Sequence, residues 1–92
     1  MIVYIAGPIT CHLRYWENFK KAEDTLTAMG HIVINPSRLP SGLEHYMQIC
    51  KAMIDQADAV FFLKGWKCSK GSNEELDYAR GLKKKLFYEE DF

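Results

Sequence analysis

The chain has 92 residues, of which 48% are hydrophobic and 26% are charged, and its 12 basic side chains balance 12 acidic ones. This composition is typical of one folded domain with a single core, over residues 1–92, and it excludes a disordered chain. The zero formal net charge argues against a nucleic-acid partner, and the low self-repulsion favours a homo-oligomer, a dimer or higher.

The cysteines and histidines indicate neither a disulfide framework nor a metal site. They are Cys11, Cys50, Cys68, His12, His31 and His45. The cysteines are odd in number, lack C-x-x-C spacing and share no ligand spacing with the histidines, so we expect no metal, no cofactor and a cytoplasmic location. The apolar run at the start of the chain is too short for a signal or a membrane span, and it is predicted to be a strand instead.

Apolar segments rich in β-formers alternate along the chain with segments of helical periodicity. The predicted strands span 2–6, 31–35, 58–63 and 85–88, and the predicted helices span 14–29, 46–57 and 72–81. Short apolar strands in the order β-α-β-α-β-α-β predict a parallel sheet with right-handed crossovers. We therefore expect an α/β fold, a Rossmann-like or flavodoxin-like three-layer sandwich with about four strands, whose order the pattern does not fix.

Glycine and proline mark the predicted ends of these elements. Gly30 is the expected stop of the first helix, and residues 36–43 form a loop. Residues 65–71 form a second long loop, which contains Trp66. This tryptophan has two interpretations, a lid that stacks on a base in a pocket or a contact buried in a dimer.

Two strand-to-helix crossings carry the candidate binding residues. Gly7 and Pro8 follow the first strand, and Ser69 and Gly71 precede the last helix. In a parallel α/β sheet such crossings open onto one edge, where ligands bind. Backbone N–H groups at a helix start suit an anion, so we expect a sugar phosphate here, although a polar turn is the simpler interpretation of Ser-x-Gly-Ser. The spacing does not fit a P-loop.

Glu75 has two interpretations that the local sequence does not separate. It can complete a capping box with Ser72, which stands three residues earlier. Alternatively, its carboxylate can act as a nucleophile or as an oxocarbenium stabiliser at a sugar C1. Tyr4 lies in the first strand, and a buried tyrosine needs a partner for its hydroxyl, which Glu75 would provide across the sheet edge.

The order and spacing of the motifs resemble those of the nucleoside 2-deoxyribosyltransferase superfamily. The resemblance is closest to small nucleoside 2-deoxyribosyltransferase-like proteins of bacteria and phages, and it covers nearly the whole chain. The motifs are Val3-Tyr4-Ile5-Ala6-Gly7-Pro8-Ile9, Phe19 with Ala22-Glu23, Gly30-His31, Asn35-Pro36, Asp58 to Leu63, Gly65-Trp66, Ser69-x-Gly71 and Glu75-Leu-x-Tyr-Ala79.

The resemblance implies a role for each matching residue. Glu75, four residues before Ala79, matches the nucleophile that forms a deoxyribosyl-enzyme intermediate, and Tyr4 matches the tyrosine that orients it. Ser69 matches the position at which members acting on 5′-monophosphates have a serine. The expected ligand is therefore a nucleoside or nucleotide, with its phosphate near Gly7, Ser69 and Gly71.

One position departs from the superfamily pattern. The superfamily has a general acid, an aspartate, eight residues before the position of Asp58, and this chain has Cys50 there. A thiol with a pKa of ~8.5 is a poor proton donor to a leaving base, and Cys50 also lies on the apolar stripe of its helix. Three outcomes stay open, namely that another acid such as Asp55 substitutes, that activity is weak, or that the domain binds a nucleotide without turnover. The expected function is N-glycosidic hydrolysis, or alternatively deoxyribosyl transfer.

Overall fold

A computed structural model describes residues 1–9, 14–40 and 42–91 of the chain. Four strands and three helices follow one another in the predicted order. They are β1 (Ile2–Ala6), α1 (Tyr15–Ala28), β2 (Ile32–Ile34), α2 (Tyr46–Gln56), β3 (Ala59–Phe62), α3 (Lys70–Gly81) and β4 (Lys85–Tyr88). Short 3₁₀ helices span Pro36–Arg38, Trp66–Cys68 and Glu89–Asp91. Cys11 and His12, which entered the prediction of no metal site, lie outside the described residues.

The four strands form one parallel sheet in the order β2-β1-β3-β4. The register places Tyr4 of β1 between Ile34 of β2 and Val60 of β3. The chain leaves β1 towards one side of the sheet and returns to β3 on the other side. In flavodoxin-like sheets this reversal opens a crevice at the carboxyl ends of the two central strands. The predicted fold class is confirmed, and the structure adds the strand order.

Helices cover both faces of the sheet, so the predicted three layers are confirmed. Successive side chains of β1 point to opposite faces, because a strand has a period of two residues. Val3 and Ile5 pack in the core cluster that contains Phe19 of α1. Tyr4 and Ala6 pack in the other cluster, which is built from α2, α3 and the opposite face of the sheet.

The first helix ends at the glycine that the sequence indicates. Gly30 has a φ of +92°, a left-handed conformation that favours glycine. Its N–H donates to the carbonyl of Thr27 at 3.0 Å, and the next N–H, of His31, donates to the carbonyl of Leu26 at 3.1 Å. These two bonds form a Schellman motif, which turns the chain from α1 into β2.

The last helix begins two residues earlier than predicted. Ser69 is its N-cap, and the Ser69 Oγ accepts a hydrogen bond from the N–H of Ser72 at 3.2 Å. Ser72 is therefore the third residue of α3, and Glu75 lies in the second turn. The capping-box interpretation is wrong, because a side chain in the second turn is too far from the N-cap N–H to bond it.

The interpretation of Trp66 as a lid or a dimer contact is also wrong. Gly65 has a φ of +83°, and this left-handed residue starts the 3₁₀ turn that folds the indole back over the sheet. Trp66 is 7% exposed and packs against Phe62 and Tyr88, with ring centroids 5.1 and 5.7 Å away. Its ring is therefore part of the core of a single chain.

Candidate functional site

A cleft of about 410 Å³ opens at the edge of the sheet where the chain leaves β1, β2 and β3. This volume lies in the usual range of small-molecule sites. One side of the cleft is the start of α3, with Ser69, Gly71 and Glu75. The rest of the lining forms a largely aromatic and aliphatic wall, which includes Tyr15, Phe19, Pro36, Leu43, Tyr46 and Met47. The cleft thus has a polar end and an apolar wall.

Tyr4 and Glu75 meet inside the cleft. The Tyr4 hydroxyl, on β1, donates a hydrogen bond to Glu75 Oε2, on α3, across 71 positions of sequence. Tyr4 is fully buried, and Glu75 is 6% exposed. The contact predicted from the sequence is confirmed. The two side chains meet because β1 ends at the edge of the sheet where α3 begins.

Burial controls the ionisation of both side chains. Removal of the Glu75 carboxyl from water raises its pKa to about 7, although the hydrogen bond from Tyr4 acts in the opposite direction. The nearby charge of Glu74 raises the pKa of Glu75 further. Burial, followed by the charge of Glu75, raises the pKa of the Tyr4 hydroxyl far above its ordinary value, so that Tyr4 remains a proton donor. The carboxyl group can therefore be charged or neutral near neutral pH.

Cys50 lies beside this pair, within the core. It is 1% exposed, on the face of α2 that packs against the sheet, which confirms its predicted place on the apolar stripe. Burial raises the pKa of its thiol above the ordinary value, although the nearby hydroxyls of Tyr4 and Tyr46 act in the opposite direction. At neutral pH the Cys50 side chain is a neutral thiol, and it is not among the residues that line the cleft.

Asp55 does not take the place of the missing aspartate. Its side chain lies on the outer surface, where Oδ1 accepts a hydrogen bond from the hydroxyl of Tyr78 at 2.6 Å. Asp55 does not line the cleft, because α2 carries it away from the sheet edge. The hypothesis that Asp55 supplies the proton is therefore wrong.

The other predicted binding residues divide into two groups. Gly7, Ser69 and Gly71 line the cleft together with Glu75. A Cβ atom on Gly7 would approach the Leu63 side chain to 2.9 Å, so glycine allows the ends of β1 and β3 to pack closely. Pro8 is buried beside Gly7 but does not line the cleft, and Trp66 lies in the core.

Sequence reasoning did not identify the contacts that hold the apolar wall. Arg38 and Asn35 both bond the Glu23 carboxylate of α1, at 2.8 and 2.9 Å. These bonds fix the segment that carries Pro36 and Ser37, which line the cleft, against α1. Glu23 and Asn35 both lie in motifs of the superfamily resemblance, which was the available signal. That resemblance did not indicate which side chain either residue would bond.

In the described part of the chain, no three His, Cys, Asp or Glu side chains lie close enough together to hold a metal ion. No described helix is long and apolar enough to cross a membrane.

Tyr4→Phe is expected to raise the pKa of Glu75 above 7, because the variant removes the hydrogen bond that favours the ionised carboxylate. A carbon-13 NMR titration of the Glu75 side-chain carboxyl, in the wild type and in the variant, measures the shift directly. An unchanged or lower pKa in the variant would show that the hydroxyl does not stabilise the charged form.

These observations define a small parallel α/β domain with a ligand-sized cleft at the reversal of its strand order. Residues 1–88 match the family described as "Domain of unknown function (DUF4406)". The chain belongs to the DUF4406 family. No curated protein matches the chain at a significant level.

Proposed function

We propose that this domain breaks the N-glycosidic bond of a nucleoside or a nucleoside 5′-monophosphate, with Glu75 as the nucleophile. The observation that carries the proposal is a buried carboxyl, with a pKa of about 7, which accepts a hydrogen bond from Tyr4 inside a cleft of about 410 Å³. Perturbed carboxyl groups in clefts are typical of catalytic sites. The motif resemblance to the nucleoside 2-deoxyribosyltransferase superfamily supports the same assignment.

The polar end of the cleft suits the phosphate of such a substrate. The first N–H groups of a helix have no intrahelical acceptor, and in α3 these belong to Lys70 and Gly71, which both line the cleft. The positive end of the helix dipole and the Lys70 ammonium favour an anion there. The aromatic rings of Tyr15 and Tyr46 in the apolar wall of the cleft suit a planar base.

The chemistry has two steps with overall retention at C1′. The ionised carboxylate of Glu75 attacks C1′, the C1′–N bond breaks, and the electron pair leaves with the base, which takes a proton from water. Tyr4 holds the carboxylate in position through its hydroxyl. Water then attacks the glycosyl ester and releases the sugar or sugar phosphate, whereas attack by a second base gives transfer. We favour hydrolysis, because Ser69 resembles the branch that acts on nucleotides.

A second candidate function is nucleotide binding without turnover, as in a sensor. Cys50 favours it, because a buried thiol stands where the superfamily has its acid. Among the described residues, Glu75 is the one carboxylic acid that lines the cleft. The loss of general acid assistance costs about 10²–10⁴-fold in rate. The homo-oligomeric state and the cytoplasmic location stay predictions.

Release of free base from nucleosides and nucleoside 5′-monophosphates, followed by chromatography, tests the proposal. We expect release by the wild type, with a rate that rises with pH through about 7 as Glu75 ionises. Glu75→Gln should reduce release by a factor on the order of 10³ or more, because the amide is not a nucleophile.

Glu74→Gln is the matched control for this experiment. Glu74 precedes Glu75 but lies outside the cleft, where it forms an ion pair with Lys51 at 3.1 Å. The control should retain release. Nucleotide binding without release by the wild type would support the second function, and the absence of both would contradict both functions.

A further inference from the structure

The hydroxyl of Ser72 is a buried polar group whose lack of a hydrogen-bond partner within the described part of the chain needs an explanation. Ser72 is the third residue of α3, is 1% exposed and lines the cleft. Its Oγ has no hydrogen-bond partner among the residues that the structure describes, and it is the one buried side-chain N or O atom of that set in this condition. Most buried polar side-chain atoms are hydrogen-bonded, so this exception requires a physical reason.

Ser69 shows what a structural serine does in the same helix. Its Oγ accepts the N–H of Ser72 at 3.2 Å and caps α3. Ser72 contributes only its backbone to that bond, and its own hydroxyl adds nothing to the cap. A buried hydroxyl without a partner lowers stability, so the free protein gains nothing from Ser72 Oγ. A ligand in the cleft would supply the missing partner.

The position of Ser72 along α3 indicates which part of the ligand its hydroxyl would contact. Ser69, Ser72 and Glu75 follow one another at intervals of three residues, on one face of the helix, with a rise of about 4.5 Å per interval. In the proposed function, on which this step rests, the helix start binds the phosphate and Glu75 attacks the anomeric carbon. The sugar ring of a 5-phosphate lies between these two points, beside Ser72.

We infer that Ser72 Oγ hydrogen-bonds a ring hydroxyl of the substrate sugar and thereby selects a furanose 5-phosphate. Because the hydroxyl both donates and accepts, it matches a sugar hydroxyl, which also does both. Lys70 and the free N–H groups of the helix start already serve the phosphate. Ser72 therefore recognises the sugar, and the helix start recognises its charge.

Calorimetric binding of D-ribose 5-phosphate and of inorganic phosphate tests this role in the wild type and in Ser72→Ala. The variant should bind D-ribose 5-phosphate about 3- to 10-fold more weakly, which is the usual effect of one lost hydrogen bond. Its affinity for inorganic phosphate should change by less than about twofold. Equal weakening for both probes would assign the hydroxyl to the phosphate and overturn the inference, and so would the absence of D-ribose 5-phosphate binding to the wild type.

Ser69→Ala is the matched variant for stability. It should lower the melting temperature of the free protein by about 4–8 °C, because the helix loses its cap, whereas Ser72→Ala should not lower it. A melting temperature that falls equally in both variants would show that Ser72 Oγ has a structural partner, and the inference would be wrong.

D-ribose 5-phosphate contains no base, so its binding does not depend on bond cleavage. A Ser72 effect without any release of base would count against the proposed function alone. Release of base without a Ser72 effect would count against this inference alone.

Discussion

Glu75→Gln is expected to raise the free energy of unfolding at pH 8 by about 3 kcal/mol, while changing it little at pH 4. The carboxyl has an ordinary pKa of 4.5 and a pKa of about 7 in the folded protein, and the first cause of this difference is burial. At pH 8 the wild type buries a charge, and the amide of the variant does not. At pH 4 both side chains are uncharged.

The direction of this pH dependence follows from the number of protons that the folded and the unfolded states bind. Between pH 4.5 and about 7 the unfolded chain has lost the Glu75 proton and the folded protein still holds it. Stability falls with rising pH wherever the unfolded state binds fewer protons. The contribution of Glu75 is therefore fully favourable below this window, and it is lost as the pH rises through about 7.

Urea unfolding at pH 4, 6 and 8 measures this effect in the wild type, Glu75→Gln and Glu74→Gln. Glu74 is partly exposed, and its ion pair with Lys51 is of the surface kind, so its variant should change stability by less than about 1 kcal/mol. If Glu75→Gln is less stable than the wild type at pH 8, the ionised carboxylate stabilises the fold, and the pKa of Glu75 is not raised in the folded protein.

Trp66→Ala is expected to lower the free energy of unfolding by about 3–5 kcal/mol. The indole packs with Phe62 and Tyr88, whose own rings stack with centroids 5.3 Å apart. Its removal leaves a cavity beneath β3 and β4. The loss is a large fraction of the total stability of a domain of this size.

Trp16→Ala is the control for this substitution. Trp16 is 54% exposed on α1, and its replacement should change the free energy of unfolding by no more than about 0.5 kcal/mol. Guanidinium unfolding of both variants measures the difference. A Trp66 variant of normal stability that binds nucleotides poorly would restore the lid interpretation.

The strands and helices could be predicted because apolar periodicity and Gly30 report local structure directly. The start of α3 could not be predicted in this way. Ser69 and Ser72 are both able to cap a helix, and the path of the preceding chain decides which of them does so. That path depends on the left-handed turn at Gly65, which also carries Trp66 into the core. The polar composition around Trp66 indicated an exposed loop, and tertiary packing overrode it.

The candidate site was predictable on one side only. Tyr4 and Glu75 meet because parallel strands end at a common edge, which follows from topology. The apolar wall depends on the segment after β2, which Glu23 and Arg38 hold in place across 15 positions of sequence. Such contacts between distant side chains leave no periodic signal in the chain.

The pairing of Tyr4 with Glu75 also has a consequence during synthesis. Its two members come from the first strand and the last helix, so a nascent chain that has not yet released α3 from the ribosome lacks a complete cleft. Glu75 and Tyr4 come together only after α3 has been synthesised and has packed against β1. A chain that lacks α3 therefore keeps Tyr4 but has no carboxyl group at the position of Glu75 to accept its hydrogen bond.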